Sequence, residues 1–123
     1  MQDRNPDYDL SFLKIHELVS ISFYSHHFCL YSNGPPDLTT HSNPDWALMT
    51  IESDFMLNGS KVDRGALLVL IGQSFEDAWI DLDFDLHLRF ASGYQLVTIR
   101  KDNGFESYQI EWSLAPQKYV AII

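Results

Sequence analysis

Residues 80–90 read Ile-Asp-Leu-Asp-Phe-Asp-Leu-His-Leu-Arg-Phe, an unbroken alternation of apolar and polar side chains. A period of two places successive side chains on opposite faces of a β-strand. The stretch therefore predicts a sheet with one apolar face, and it places Asp81, Asp83 and Asp85 on the other. Two geometries are open, one long strand over 75–90 or two strands joined by a bend near residues 83–85.

The residues after this stretch contain two turn sequences, which predict that the chain continues as a C-terminal β-meander. Ala-Ser-Gly at 91–93 predicts a tight turn, and residues 94–100 then return antiparallel. Lys-Asp-Asn-Gly at 101–104 predicts a hairpin turn, because Asn-Gly accommodates the positive φ angles of that geometry. A last strand over 108–112 alternates again, with its aromatic and aliphatic residues on one face.

The N-terminal part predicts shorter elements. Residues 1–10 are polar and indicate a loose lead-in, followed by a short helix over 10–17. A strand over 18–24 carries Val19, Ile21 and Phe23 on one face. A second strand over 28–31 follows the Ser-His-His turn.

Residues 32–45 form the most irregular stretch of the chain. They contain Asn-Gly-Pro-Pro at 33–36 and Asn-Pro at 43–44, which predict a long exposed loop. Loops of this length are often functional or mobile. A strand over 46–51, continuing to Phe55, is expected after the loop.

Residues 63–72 allow two interpretations. Asp63 is placed to cap a short helix over 66–71 that ends at Gly72, and a buried strand over 67–71 competes with it. Residues 13–34 and 70–93 also echo each other, each running from an apolar start through two strand-like stretches to a glycine. The sequence thus predicts one β-rich α+β domain over 1–123, with an antiparallel sheet, one or two short helices and a possible two-fold repeat.

The charge of the chain limits its partners. It has 17 acidic residues against 8 Lys and Arg, a formal net charge of −9. Nucleic acids and anionic membranes are therefore poor partners, because both are recognised through clustered positive charge. A basic protein is the electrostatic complement, although acidity that merely maintains solubility explains the charge equally well.

The single cysteine and the N-terminus indicate a soluble cytoplasmic protein. Cys29 has no intramolecular disulfide partner, which suits a reducing compartment, and its neighbours predict a buried small side chain. The N-terminus lacks a basic region followed by an apolar run, so it does not resemble a signal peptide.

Five acids occur within ten residues without an intervening Lys or Arg, and these are the candidate partner-binding residues: Glu76, Asp77, Asp81, Asp83 and Asp85. A plain solvated strand face, a protein-binding surface and a catalytic or metal site all remain open. The calcium-loop pattern D-x-D-x-D-G fails because residue 86 is Leu. Adjacent His26 and His27 would point to opposite faces of a strand, so they predict a polar turn. We therefore expect no metal, cofactor or catalytic residue.

Three segments carry a resemblance to a known class of protein. They are Leu-Leu-Val-Leu-Ile-Gly at 67–72, Leu-His-Leu-Arg-Phe-Ala-Ser-Gly at 86–93 and Phe-Glu-Ser-Tyr at 105–108. This pattern, within residues 67–112, resembles small bacterial immunity proteins of polymorphic toxin and contact-dependent growth inhibition systems. The resemblance implies a non-catalytic cytoplasmic protein that binds and neutralises a cognate toxin domain. Such families share no fixed functional residues, so none is transferred.

The hypothesis favoured by the sequence is an immunity protein for a toxin, especially a basic one such as a nuclease. One alternative is an interaction module or a homodimer that uses an exposed strand edge. The other is a small hydrolase or ligand-binding domain, which requires a concave pocket with converging polar groups.

Overall fold

A computed structural model describes residues 4–35, 45–99, 108–112 and 119–122. Most of the predicted 32–45 loop and the predicted 101–104 hairpin lie outside these residues. The described elements are two 3-10 helices and nine strands: η1 Ser11–Ile15, β1 Glu17–Phe23, β2 Phe28–Asn33, β3 Trp46–Ile51, β4 Asp54–Leu57, η2 Arg64–Leu70, β5 Phe75–Ile80, β6 Leu86–Phe90, β7 Gln95–Ile99, β8 Tyr108–Trp112 and β9 Tyr119–Ile122.

The strands form two antiparallel sheets. The first sheet has the order β1-β2-β3-β8-β9, and the second has the order β4-β7-β6-β5. This confirms the predicted β-rich class with antiparallel sheets and short helices. The meander, however, comprises only β5, β6 and β7. Strand β8 pairs with β3, Ile110 opposite Met49, because its apolar face completes the core-facing side of the first sheet.

One hydrophobic core joins the two sheets. Apolar residues from both sheets and both 3-10 helices belong to a single buried cluster. Leu10 and Leu13 enter it from η1 and its cap, and Leu67 and Leu70 enter it from η2 with the same spacing. Each helix therefore contributes two leucines, three residues apart, to the interior.

The order of elements is repeated along the chain. Each half has a 3-10 helix, three consecutive antiparallel strands and a fourth strand that joins the sheet of the other half. Strand β4 follows β3 but pairs with β7, and β8 follows β7 but pairs with β3. Among the described elements, this order agrees with the echo between residues 13–34 and 70–93, since each segment runs from the end of a 3-10 helix through two antiparallel strands to a glycine.

The structure tests three local predictions, which concern the end of β3, the conformation of residues 63–72 and the burial of Cys29. Strand β3 ends at Ile51, and Asp54–Leu57 belongs to the other sheet, so the single strand to Phe55 is wrong. The helical interpretation of 63–72 is confirmed as a 3-10 helix, with Gly72 at a φ of +87° just after its end. The predicted cap is wrong, because Asp63 occupies the N-cap position without a side-chain capping hydrogen bond. Cys29 is half-exposed rather than buried.

A β-bulge changes the faces of β1. The register with β2 shifts between Leu18 and Ser20, so Leu18 is buried and Val19 is exposed. Ile21 and Phe23 lie opposite core-facing residues of β2. The prediction that Val19, Ile21 and Phe23 share one face is therefore wrong for Val19, since one extra residue reverses the alternation.

The N-terminal segment is anchored from residue 4 onward. Asn5 N donates to Ile80 O at 2.7 Å, and Asn5 and Leu10 are buried. Arg4 forms an isolated β-bridge with Asp81. The expectation of a loose lead-in is therefore wrong for residues 4–10, because the edge of β5 supplies backbone partners that the sequence does not reveal.

Candidate functional site

Residues 81–85 form the turn between β5 and β6, here called the acidic turn. The alternation over 80–90 is thus interrupted by a reversal of the chain, and the single long strand is wrong. Asp81 organises the turn, because its Oδ1 accepts hydrogen bonds from Asp83 N at 2.8 Å and Asp85 N at 3.0 Å. An Asp side chain that accepts nearby backbone N–H groups stabilises a turn in this way.

The second carboxylate oxygen of Asp81 bonds to a buried histidine. His87 Nε2 lies 2.7 Å from Asp81 Oδ2, and it is the donor because a carboxylate only accepts. Asp81 is 2% exposed and His87 is 7% exposed. The His87 ring stacks on Trp79, with the centroids 4.8 Å apart and the planes 5° from parallel. The turn is therefore tied to the outer face of the second sheet.

Further contacts determine the shape of the acidic turn. Asp81 N donates to Asp85 O, and Phe84 N donates to Asp81 O, both at 3.0 Å. From the first sheet, Tyr108 Oη donates to Phe84 O at 2.8 Å. Phe84 has a φ of +65°, a sparsely populated conformation for a bulky residue that persists only when its surroundings impose it. The turn is therefore held in one conformation by both sheets.

This conformation presents an apolar side chain beside a carboxylate. Leu82 is 55% exposed, and the adjacent Asp83 is exposed as well. Asp85 is half-buried. A rigid protrusion with one large apolar side chain is the kind of feature that fills a pocket on a protein partner.

The other two predicted acids are engaged within the second sheet. Asp77 is buried, and its two oxygens accept hydrogen bonds from Arg4 at 3.2 and 2.5 Å, with Lys14 Nζ at 4.0 Å. The hydrogen bonds from Arg4 hold the pKa of the Asp77 carboxyl below its usual range. Glu76 is exposed and lies 3.5 Å from Arg89 Nη1.

The five candidate acids therefore do not form one exposed acidic row. Asp77 and Asp81 are buried and bonded to Arg4 and His87, respectively. Glu76 is paired with Arg89. At the turn, Asp83 is exposed and Asp85 is half-buried. The negative charge of residues 76–85 is partly neutralised, because Arg4, Lys14 and Arg89 lie against Asp77 and Glu76.

An aromatic–cation cluster supports the turn, and the sequence did not predict it. Arg4 Cζ lies 4.5 Å from the Trp79 ring centroid and Arg89 Cζ lies 5.2 Å from it. Cation–π contacts of this kind fix the ring that stacks on His87. The only sequence signal for this cluster is the period-two placement of Trp79 on the face opposite the core.

A second exposed region is apolar. Six of the seven large apolar side chains that are exposed among the described residues lie on β1, on η2 or immediately after them: Val19, Phe23, Tyr24, Leu68, Val69 and Ile71. We call this region the β1–η2 surface. The seventh is Leu82 of the acidic turn, so the exposed apolar residues are concentrated in two places.

A cleft of about 410 Å³ lies beside the β1–β2 turn and includes His26, His27, Lys61 and Arg64 in its lining. Arg64 Nη1 donates to Tyr24 O at 2.5 Å and to His27 O at 3.1 Å, which holds the turn. The two histidines thus lie in a polar turn, as predicted. The lining also contains Glu52 and Asp54, so the cleft does not select one ligand charge.

Comparison with protein-family models, with curated proteins and with solved structures gave no match. Among the described residues, no helix has the length and apolar character required to cross a membrane.

Proposed function

We propose that this chain is a cytoplasmic immunity protein that binds and neutralises a bacterial toxin domain, with the acidic turn as its principal contact. The observation that carries the proposal is the rigid presentation of exposed Leu82 beside Asp83. The proposed role is stoichiometric inhibition without catalysis. The partner class follows the resemblance noted in the sequence, and the turn supplies a physical means of recognition.

The geometry of the turn favours tight binding. Its backbone is already fixed by Asp81 and Tyr108, so little conformational entropy is lost when a partner engages it. Leu82 can fill an apolar pocket while the neighbouring carboxylates contact basic groups around it. The two kinds of contact are complementary, because burial provides affinity and charge provides orientation.

The net charge supports a basic partner. A chain of net charge −9 attracts a cationic surface at long range and accelerates encounter. A nuclease toxin carries such a surface where it binds phosphates, and an acidic protrusion can occupy it. In this proposal Asp83, Asp85 and Glu76 contact or steer the partner, whereas Asp77 and Asp81 position the turn.

The proposal is tested by affinity capture from the native cells, followed by assay of the captured partner. A single basic partner should be retained, and its toxic activity should fall to zero at a 1:1 ratio. Recovery of no partner from cells that express a toxin domain, or a partner whose activity is unaffected, would contradict the proposal.

Variants then test the acidic turn. Leu82→Ala should weaken binding at least about thirtyfold, since a central apolar anchor contributes about 2 kcal/mol or more. Leu68→Ala is the matched control, because Leu68 is exposed to a similar extent, 51% against 55%. Asp83→Asn should reduce the salt dependence of binding, and Asp63→Asn makes the same charge change elsewhere on the surface. Equal effects in the variant and its control would exclude the turn as the contact.

A further inference from the structure

Strand β1 is an edge strand with an open side. On the side away from β2, Leu18 N donates to Gln73 O at 2.9 Å, and Gly72 N donates to Leu18 O at 2.7 Å. Beyond Leu18, no strand among the described residues pairs with β1 on this side. The ladder begun at residues 72–75 therefore stops where η2 begins to lie beside β1.

The hydrogen-bond pattern shows which backbone groups face this open side. Tyr24 N donates to His27 O at 2.9 Å, so Tyr24 and His27 form a hydrogen-bonded pair. Hydrogen-bonded and non-hydrogen-bonded pairs alternate in an antiparallel ladder. The N–H and C=O groups of Ile21 and Phe23 therefore point away from β2, into the open side.

The side chains of β1 itself are uncharged from residue 18 onward. Residues 18–24 read Leu-Val-Ser-Ile-Ser-Phe-Tyr, without a charge. The β1–η2 surface lies on the same strand and the adjoining helix. Exposed edges in native proteins are usually blunted by charges or covered. Residues 19–23 carry no charge of their own, and no described strand covers them. Protection is limited to the ends of this stretch, where Arg64 of η2 donates to Tyr24 O and lies 5.5 Å from the Phe23 ring centroid, and where a bulge interrupts the strand at Val19.

We propose that a second copy of this chain covers the edge, by antiparallel pairing of β1 with β1 across a two-fold axis at Ser22. In this register Ile21 lies opposite Phe23 of the second copy, and Ser22 lies opposite Ser22. All four outward-facing residues then exchange backbone hydrogen bonds. The two five-stranded sheets become one continuous sheet.

The chemistry of the edge favours a second copy over a basic partner. A basic protein finds no carboxylate between residues 18 and 24, whereas two copies present the same uncharged strand to each other. The interface is isologous, as closed dimers require. This proposal is independent of toxin binding, which uses the acidic turn.

Salt distinguishes this assembly from a toxin complex. Each copy carries a net charge of −9, so the copies repel each other and screening strengthens their association. A complex with a basic partner responds in the opposite direction. Sedimentation equilibrium of the full chain at micromolar concentrations should show a dimer whose dissociation constant falls as salt increases from about 50 to 500 mM, a range over which exposed charges become strongly screened.

Substitutions at the axis test the register. Ser22→Asp places two carboxylates against each other and should weaken dimerisation at least about tenfold. The control Ser60→Asp adds the same charge at an exposed position just after the turn that follows β4, and it should leave the dimer intact apart from a small uniform repulsion. The proposal would be overturned if the wild-type chain were monomeric at high salt, or if Ser22→Asp and Ser60→Asp changed the dissociation constant of the dimer equally.

A cross-link provides an independent measurement. Opposite residues in a non-hydrogen-bonded antiparallel pair have Cα atoms about 4.5 Å apart, within the range of a disulfide. In a Cys29→Ser background, which removes the native thiol, Ser22→Cys should form a covalent dimer on mild oxidation. Ser60→Cys in the same background should not. Equal yields from the two variants would exclude the axis at Ser22.

Discussion

Replacement of Asp81 by alanine should be among the most destabilising single changes near the acidic turn. The side chain is 3% exposed and accepts three hydrogen bonds, from Asp83 N, Asp85 N and His87 Nε2. The variant Asp81→Ala removes both acceptor oxygens and therefore all three hydrogen bonds. The energetic cost differs among the three donors, because the amides of Asp83 and Asp85 can bond to water whereas the buried His87 Nε2–H cannot.

The magnitude follows from the burial of each donor. His87 is 7% exposed, so its Nε2–H is left without a partner in the interior, at a cost of about 1–3 kcal/mol. Asp83 is exposed and Asp85 is half-exposed, so their amides can turn to water and lose only about 0.5–1 kcal/mol each. The sum is a destabilisation of about 3 kcal/mol, a large part of the about 5–15 kcal/mol typical of a domain.

Asp81→Asn provides the matched variant. Its carbonyl oxygen can still accept both turn amides, and its NH₂ group can donate to Nε2 if His87 shifts its proton to Nδ1. We expect a loss of about 1 kcal/mol for this variant, roughly the value of a charge-assisted over a neutral hydrogen bond.

Equilibrium unfolding in urea at pH 7 measures the loss in the free energy of unfolding for Asp81→Ala and for Asp81→Asn. The dependence on urea concentration is compared between the wild type and the two variants, because an unchanged slope shows that the change is in stability. A loss below about 1 kcal/mol for Asp81→Ala would refute the role of Asp81 as the organiser of the turn. Equal losses for the two variants would refute the argument from hydrogen-bond geometry. Asp81→Ala should also weaken binding of the proposed partner, although Asp81 itself is too buried to touch it.

Two further predictions concern pH and the core. The hydrogen bonds from Arg4 lower the pKa of Asp77, so they contribute stability above its ordinary value of about 4 that is lost as the pH falls through the lower folded value. Thermal unfolding from pH 7 to 2.5 should therefore show a shallower acid loss for Asp77→Asn, and identical profiles would contradict this linkage. In the core, Leu67→Ala should cost about 2–5 kcal/mol in chemical denaturation, whereas the exposed Leu68→Ala should cost less than about 0.5 kcal/mol, and similar values would place η2 in the wrong orientation.

Local sequence patterns predicted the elements well where the pattern itself contains the cause. Period-two alternation identified most of the strands. After β4, Asn58 and Gly59 have φ angles of +53° and +80°, the positive values that an Asn-Gly dipeptide favours. Alternation failed at residues 81–85, because the same Asp residues that fit a polar strand face can also fold back on backbone amides. It failed at Val19 because a one-residue bulge leaves no clear mark in the sequence.

The sequence alone determined that this protein is β-rich and antiparallel, that its net charge is strongly negative, and which face is apolar in strands without a bulge. Only the tertiary structure decided that β8 joins β3, that Asp77 and Asp81 are buried, and that Leu82 protrudes. The physical reason is the sequence separation between the residues that decide each feature. The residues that define a strand face or a turn are only a few positions apart in the sequence. Whether a carboxylate is buried and paired depends instead on which distant group the fold places beside it. Arg4, for example, bonds to Asp77 across 73 positions.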